Sequence, residues 1–123
     1  MTPENDDHPI VIEPAAMRVR VFAMGRQVAD TVRALALQEP GHPSALYLPR
    51  EDVDMTLLKR GAHTTVCPDK GIASYYAIEV GGDCFADAGW SYEDPKPMAE
   101  KIRGFISFHP NLVFVDQPAK PAR

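Results

Sequence analysis

The chain has 123 residues, 45% of them hydrophobic and 24% charged, with 13 Lys and Arg against 17 Asp and Glu and a formal charge of −4. A chain of this length buries roughly two-thirds of its unfolded surface around a single core, and its acidic balance excludes the basic footprint of a general nucleic-acid binder. Cys67 and Cys84 cannot build a disulfide framework, no apolar run approaches the ~18 residues of a membrane span, and the first residues lack the cationic and apolar regions of a signal peptide. These features predict a cytoplasmic domain with no nucleic-acid or membrane partner.

Residues 1–16 hold Pro3, Pro9 and Pro14, acids at Glu4, Asp6, Asp7 and Glu13, and no Lys or Arg, which predicts a loose acidic tail. Residues 117–123, with Pro118 and Pro121, predict a second tail, leaving one domain over 17–116. Within it, alternation with a period of two dominates, as in strands with one buried face. Arg18 to Phe22 places Val19 and Val21 opposite Arg18 and Arg20, and Gly25-Arg26 turns the chain into a hairpin with Gln27 to Asp30. Val32 to Leu37 predicts a strand broken by Pro40 and Pro43, and Ala45 to Leu48 another that ends at Pro49. Arg50 to Leu58 reads as a short helical turn, with Val53 and Leu57 four apart.

Ala62 to Cys67 and Ser74 to Val80 read as paired strands, the second closed by Gly81-Gly82-Asp83, and His63, Thr65 and Cys67 share a face. Beyond Pro97 the period changes. Met98, Ile102, Phe105 and Ile106 fall on one stripe of a late α-helix reaching about Phe108, weakened by Gly104 and stopped by His109-Pro110. A last strand covers Leu112 to Val115. The expected fold is mainly antiparallel β, with one short helical turn and one late α-helix.

Three polar clusters interrupt this pattern. In Tyr47 to Asp54, an Asp-x-Asp pair on an extended segment can hold a metal, whereas on a helical turn its carboxylates diverge and Arg50, Glu51 and Asp52 only cap and pair locally. In Cys67 to Tyr76, the thiol stands near Lys70 and shares a strand face with His63. That setting suits a nucleophile or redox centre, against the alternative of a small buried hydrophobe. In Asp87 to Pro95, Trp90 and Tyr92 are two apart and form an aromatic wall when extended, with Glu93 beside it; alternatively Trp90 closes the core. The scattered Cys and His residues fit no zinc spacing, and no metal or other cofactor is predicted. Phosphate-loop, nucleophile-elbow and dinucleotide fingerprints are absent.

Taken in order, Pro49-Arg50-Glu51-Asp52-Val53, Cys67-Pro68 with Lys70-Gly71 and Ser74-Tyr75, Ala88 with Trp90-Ser91-Tyr92-Glu93-Asp94-Pro95, and Phe108-His109-Pro110 resemble the domain of unknown function 427 family. The resemblance spans nearly all of 18–116, with Asp69 and Tyr76 standing where the family often has aromatic residues and tryptophan. It implies a small β-tent architecture of the Mss4-like kind. The zinc of such relatives does not carry over, because their C-x-x-C pairs are missing here. The family's nucleotidyltransferase label implies a metal-binding carboxylate cluster, for which Glu51, Asp52 and Asp54 are the candidates, without the Gly-Ser helix start that chemistry normally uses. The leading expectation is a pocket of Tyr75, Trp90, Tyr92 and Glu93, with Arg50 or Lys70, for a small anionic or planar ligand. The enzyme alternatives are nucleotidyl transfer and chemistry at Cys67, and a further reading is a homo-oligomer paired through edge strands.

Overall fold

The computed structural model describes residues 10–116. Ten strands make three antiparallel sheets. The first joins β1 (Val11–Pro14), β4 (Leu35–Gln38) and β5 (Ala45–Tyr47) in the order β1-β4-β5. The second orders β2 (Arg18–Ala23), β3 (Arg26–Thr31) and β10 (Val113–Asp116) as β10-β2-β3. The third is the largest, with β6 (Leu58–Cys67), β7 (Gly71–Val80), β8 (Asp83–Tyr92) and β9 (Ile106–Phe108) in sequence order. A mutual backbone pair between Leu48 and Ile106, 2.8 Å each way, stitches the first sheet to the third.

The hairpin forms where alternation placed it, with Val19 and Val21 fully buried and the turn made by Met24 and Gly25, both at positive φ. The third sheet lends one face to each of two hydrophobic clusters. Val19, Val21, Val28 and Leu48 meet Tyr76, Ile78, Ile106 and Phe108 on one side. On the other, Ile12, Leu37 and Tyr47 meet Ala73, Tyr92, Ala99 and Ile102. Side chains two apart on a strand share a face, so neighbours such as Ser91 and Tyr92 serve opposite sides.

Three expectations change. The late α-helix is absent: Pro97–Ile102 is a 3₁₀ segment kinked at Ala99, and Gly104 at φ +75° ends it. Pro95 and Pro97 bracket its start, Met98 on the supposed core stripe is 53% exposed, and Ile106 is drawn into β9 by pairing with Ser91 and Leu48. Burial of Ile106, Ser107 and Phe108 against β8 overrides a helical period with Gly104 in its middle. The segment Arg50 to Leu58 is likewise two 3₁₀ turns, Arg50–Asp52 and Met55–Leu57, separated by an extended Val53 that bridges to Ala29.

The tail also ends earlier than its composition suggested, because Val11–Pro14 pairs with Leu35–Gln38 and buries Ile12. Pro14 is tolerated because β1 is an edge strand, where a missing N–H breaks no inner ladder. Residues 1–9 and the C-terminal segment 117–123 lie outside the described residues.

Candidate functional site

The register of β7 and β8 sets Tyr75 opposite Trp90 and Ala73 opposite Tyr92. The small Ala73 leaves the Tyr92 ring room to lie inward, while Tyr75 and Trp90 stand side by side with ring centroids 6.3 Å apart. Tyr47, from β5, closes the opposite wall: its hydroxyl accepts a hydrogen bond from Trp90 Nε1 at 3.2 Å, and its ring lies 6.5 Å from that of Tyr92. The four aromatic residues wall a cleft of about 490 Å³, rimmed by the Cys67 to Lys70 turn and by Glu39, His42 and Pro43. A smaller cavity of about 250 Å³ adjoins Trp90, against Leu46, Ser107 and Phe108.

Lys70 and Glu39 clasp across the rim. Their charged ends are 2.8 Å apart and each side chain is only 12% exposed. The Lys70 ammonium also lies 5.8 Å from the centre of the Tyr92 ring, within cation–π range. Burial works to lower the Lys70 pKa, but the hydrogen bond to Glu39 and neighbouring groups outweigh it and the pKa is raised, so the ammonium persists at neutral pH. Burial raises the pKa values of Tyr92 and Tyr47, keeping both as neutral phenols. The cleft therefore offers apolar ring faces, neutral hydroxyls and one cation already paired.

Arg50 and Glu93 do not join this cleft. Glu93 follows Tyr92 on the chain and belongs to the other face of the sheet, where its carboxylate meets Arg50 Nη2 at 2.7 Å, Arg60 Nη1 at 3.1 Å and the Tyr76 hydroxyl. Arg50 also donates to Ser91 Oγ and to the Gly104 carbonyl, and Arg60 donates to Ser74 Oγ. Burial opposes ionisation of Glu93, but the Tyr76 and Arg50 hydrogen bonds and both guanidinium charges prevail and hold its carboxyl below the usual range. This network ties the Arg50 turn, β6, β7, β8 and the Gly104 bend together. Its groups satisfy one another.

The remaining candidates also have structural partners. Asp52 accepts hydrogen bonds from Thr31 and Arg33, Asp54 caps its own turn through Thr56, and Glu51 lies 3.8 Å from Arg33. Among the described residues no three His, Cys, Asp or Glu side chains converge as metal ligands do. Cys67 is a free, half-buried thiol on the cleft rim. The Lys70 and His63 side chains expected beside it are engaged elsewhere, Lys70 with Glu39 and His63 with Asp87. Tyr47 and Glu39 escaped the sequence reading because they reach the cleft from the first sheet, and no spacing within the β7 to β8 segment signals them.

The fold and site define a small antiparallel β domain with an aromatic cleft on one face of its main sheet and a polar network on the other. The family model described as domain of unknown function (DUF427) matches residues 11–119, so the chain belongs to that family. The match starts where β1 starts, in agreement with its place in the first sheet. The family's model name carries a nucleotidyltransferase label. No curated protein matches the chain.

Proposed function

We propose that this protein binds a small planar molecule in the cleft between Tyr47, Tyr75, Trp90 and Tyr92. The observation that carries the reading is the convergence of four aromatic side chains from three strands on a cavity of about 490 Å³, within the range usual for small-molecule sites. Tyrosine and tryptophan suit the task because each presents a large apolar face and a polar tip. An anionic substituent on the ligand would meet Lys70 by exchange with the Glu39 carboxylate, so the ring is the constant part of the ligand and the anion an optional one. The β-tent arrangement implied by the family belongs to the same reading, with the cleft between its first and third sheets. Two free cysteines, one of them exposed, suit the reducing cytoplasm in which we place the protein.

The test uses the sole tryptophan, whose indole N–H lies in the cleft wall. A library of planar heteroaromatic compounds should contain members that raise the melting temperature and shift the Trp90 indole resonance, with both effects lost in Tyr75→Ala. A folded protein that responds to none of them refutes the reading. Nucleotidyl transfer, the family's label, has less support, since Glu51, Asp52 and Asp54 are engaged locally. It predicts calorimetrically measurable binding of a magnesium–nucleotide complex that Asp52→Asn abolishes.

A further inference from the structure

The face of an aromatic ring is electron-rich and attracts a cation, and several rings around one space form the cages that recognise quaternary ammonium groups. Tyr47, Tyr75, Trp90 and Tyr92 surround such a space. Neither the Tyr75–Trp90 pair, tilted by 38°, nor the Tyr47–Tyr92 pair, tilted by 46°, is closed by face-to-face stacking. The protein shows the mode of recognition with a group of its own: the Lys70 ammonium stands over the Tyr92 ring, 5.8 Å from its centre.

The charged lining has the matching sign. Glu39, Asp69 and Lys70 line the cleft, two carboxylates against one ammonium, with His42 and Cys67 as the other ionisable side chains beside the tyrosines. Lys70 is engaged by Glu39 Oε1 at 2.8 Å. Glu39 Oε2 and the half-buried Asp69 carboxylate have no hydrogen-bond or ion-pair partner among the described residues.

An anion and a cation entering this space meet different costs. An anion reaches Lys70 only by displacing Glu39, which leaves that carboxylate unpaired where it is 12% exposed. A cation leaves the Lys70–Glu39 pair in place. Lys70 repels it, but the paired Glu39 carboxylate offsets that charge, and Asp69 tips the sum to negative.

We propose that the planar ligand of the cleft is a cation, an aromatic ring with a fixed positive charge of the N-alkylpyridinium class, held by the ring faces and by the Glu39 and Asp69 carboxylates. The inference rests on the cleft reading and adds the charge of the ligand. It involves recognition alone, with no bond formed or broken.

The probes are 1-methylnicotinamide, a planar cation, 3-methylbenzamide, its neutral isostere, and 3-methylbenzoate, an anion of similar shape. Binding is read from the Trp90 indole resonance at pH 8, where an ordinary imidazole is neutral. Wild-type protein should bind the cation about tenfold more tightly than the isostere, the size of one cation–π contact, and the anion most weakly. Asp69→Asn, in a turn that suits asparagine, should lower the preference about threefold. Glu39→Gln, which frees Lys70, should reverse it in favour of the anion. Asp83→Asn removes an exposed carboxylate outside the cleft lining and should leave it intact.

Equal affinity for cation and isostere in wild type, tighter binding of the anion, or a preference unchanged in both Asp69→Asn and Glu39→Gln overturns the assignment. If planar heteroaromatic compounds bind the cleft while these three probes do not, the cation assignment falls alone. With no response to either set, the cleft reading falls with it.

Discussion

Replacing Glu93 with glutamine tests whether the polar network is a structural hub separate from the cleft. The carboxylate accepts hydrogen bonds from Tyr76 and Arg50 and is ion-paired with Arg60, and the Glu93→Gln change keeps the shape of the side chain while removing its charge. The ion pair with Arg60 counts for little, because that side chain is 57% exposed and water screens it. Glu93 itself is 29% exposed and Arg50 35%, so the other two bonds contribute more. Taking the carboxylate charge out of the bonds to Tyr76 and Arg50 loses about 1 kcal/mol each. The expected cost is therefore about 2 kcal/mol, or a fall of roughly 10 °C in melting temperature.

The pH dependence sharpens the test. The native Glu93 carboxyl is held below its ordinary value, so its contribution is full above the unfolded pKa of about 4.3 and is lost as pH falls through the native value. Urea titrations followed by Trp90 fluorescence should separate wild type from Glu93→Gln near neutrality and narrow the gap progressively as pH falls below about 4.3. A stability gap that persists undiminished in acid would show that the variant acts through packing and not through charge, and the hub argument would fall.

Three other substitutions probe the frame. Gly89→Ala would place its Cβ 2.9 Å from the Ser107 carbonyl oxygen and 3.2 Å from Phe108 Cδ1, forcing β8 and β9 apart; denaturant titration should show a loss of about 2–3 kcal/mol. Glu39→Gln leaves the Lys70 ammonium without its partner at a rim where both are 12% exposed, for a cost of about 2–3 kcal/mol. Because the native Lys70 pKa is raised, wild type holds this advantage up to the unfolded value of about 10.4 and loses it in strong alkali. The same variant should bind benzoate more tightly in calorimetry, because its lysine is free to take a carboxylate. Tyr47→Phe removes the acceptor of the Trp90 N–H and should cost about 1 kcal/mol with a displaced indole resonance.

Much of the frame was legible because period-two alternation is local. Val19 and Val21, the Gly25 turn, and the runs ending at Cys67 and Val80 all follow from it, and so does the shared face of Trp90 and Tyr92. The same rule separates Glu93 from that face, and grouping it with the aromatic wall let closeness along the chain override it. The late helix failed for a different reason: the period over Met98 to Ile106 was helical, but the decisive partners of Ile106 are Leu48 and Ser91, both distant in sequence. Tyr47 and Glu39 enter the cleft through tertiary contact alone. His63 and Asp87 lie on strands separated by β7 and meet through register shifts between Arg60 and Thr64 and between Tyr76 and Ile78, which break the alternation from which sequence positions are read.

The motif residues that carry the family resemblance divide between the two faces, and the division explains how a small domain can keep a rigid cleft. Gly71 sits at φ +111° with its absent Cβ 3.4 Å from the Asp94 carbonyl oxygen and 3.5 Å from the Lys96 nitrogen, and Lys96 donates to the Lys70 carbonyl. A side chain at 71 would be strained at this positive φ, so glycine there sets where Lys70 stands against Tyr92. Behind the same strands, Arg50 and Glu93 pin the Gly104 bend, Ser91 and Tyr76, which alternate with the aromatic residues of the cleft. The Tyr75, Trp90 and Tyr92 rings are therefore flanked along the chain by residues fixed on the opposite side. Little ordering entropy remains for a ligand to offset, and binding energy goes into contact with the rings. Loosening the hub with Arg50→Gln should then weaken every planar ligand by a similar factor. Unchanged affinity in a folded Arg50→Gln variant, read from the Trp90 indole resonance across a set of planar compounds, would show instead that the two faces are independent.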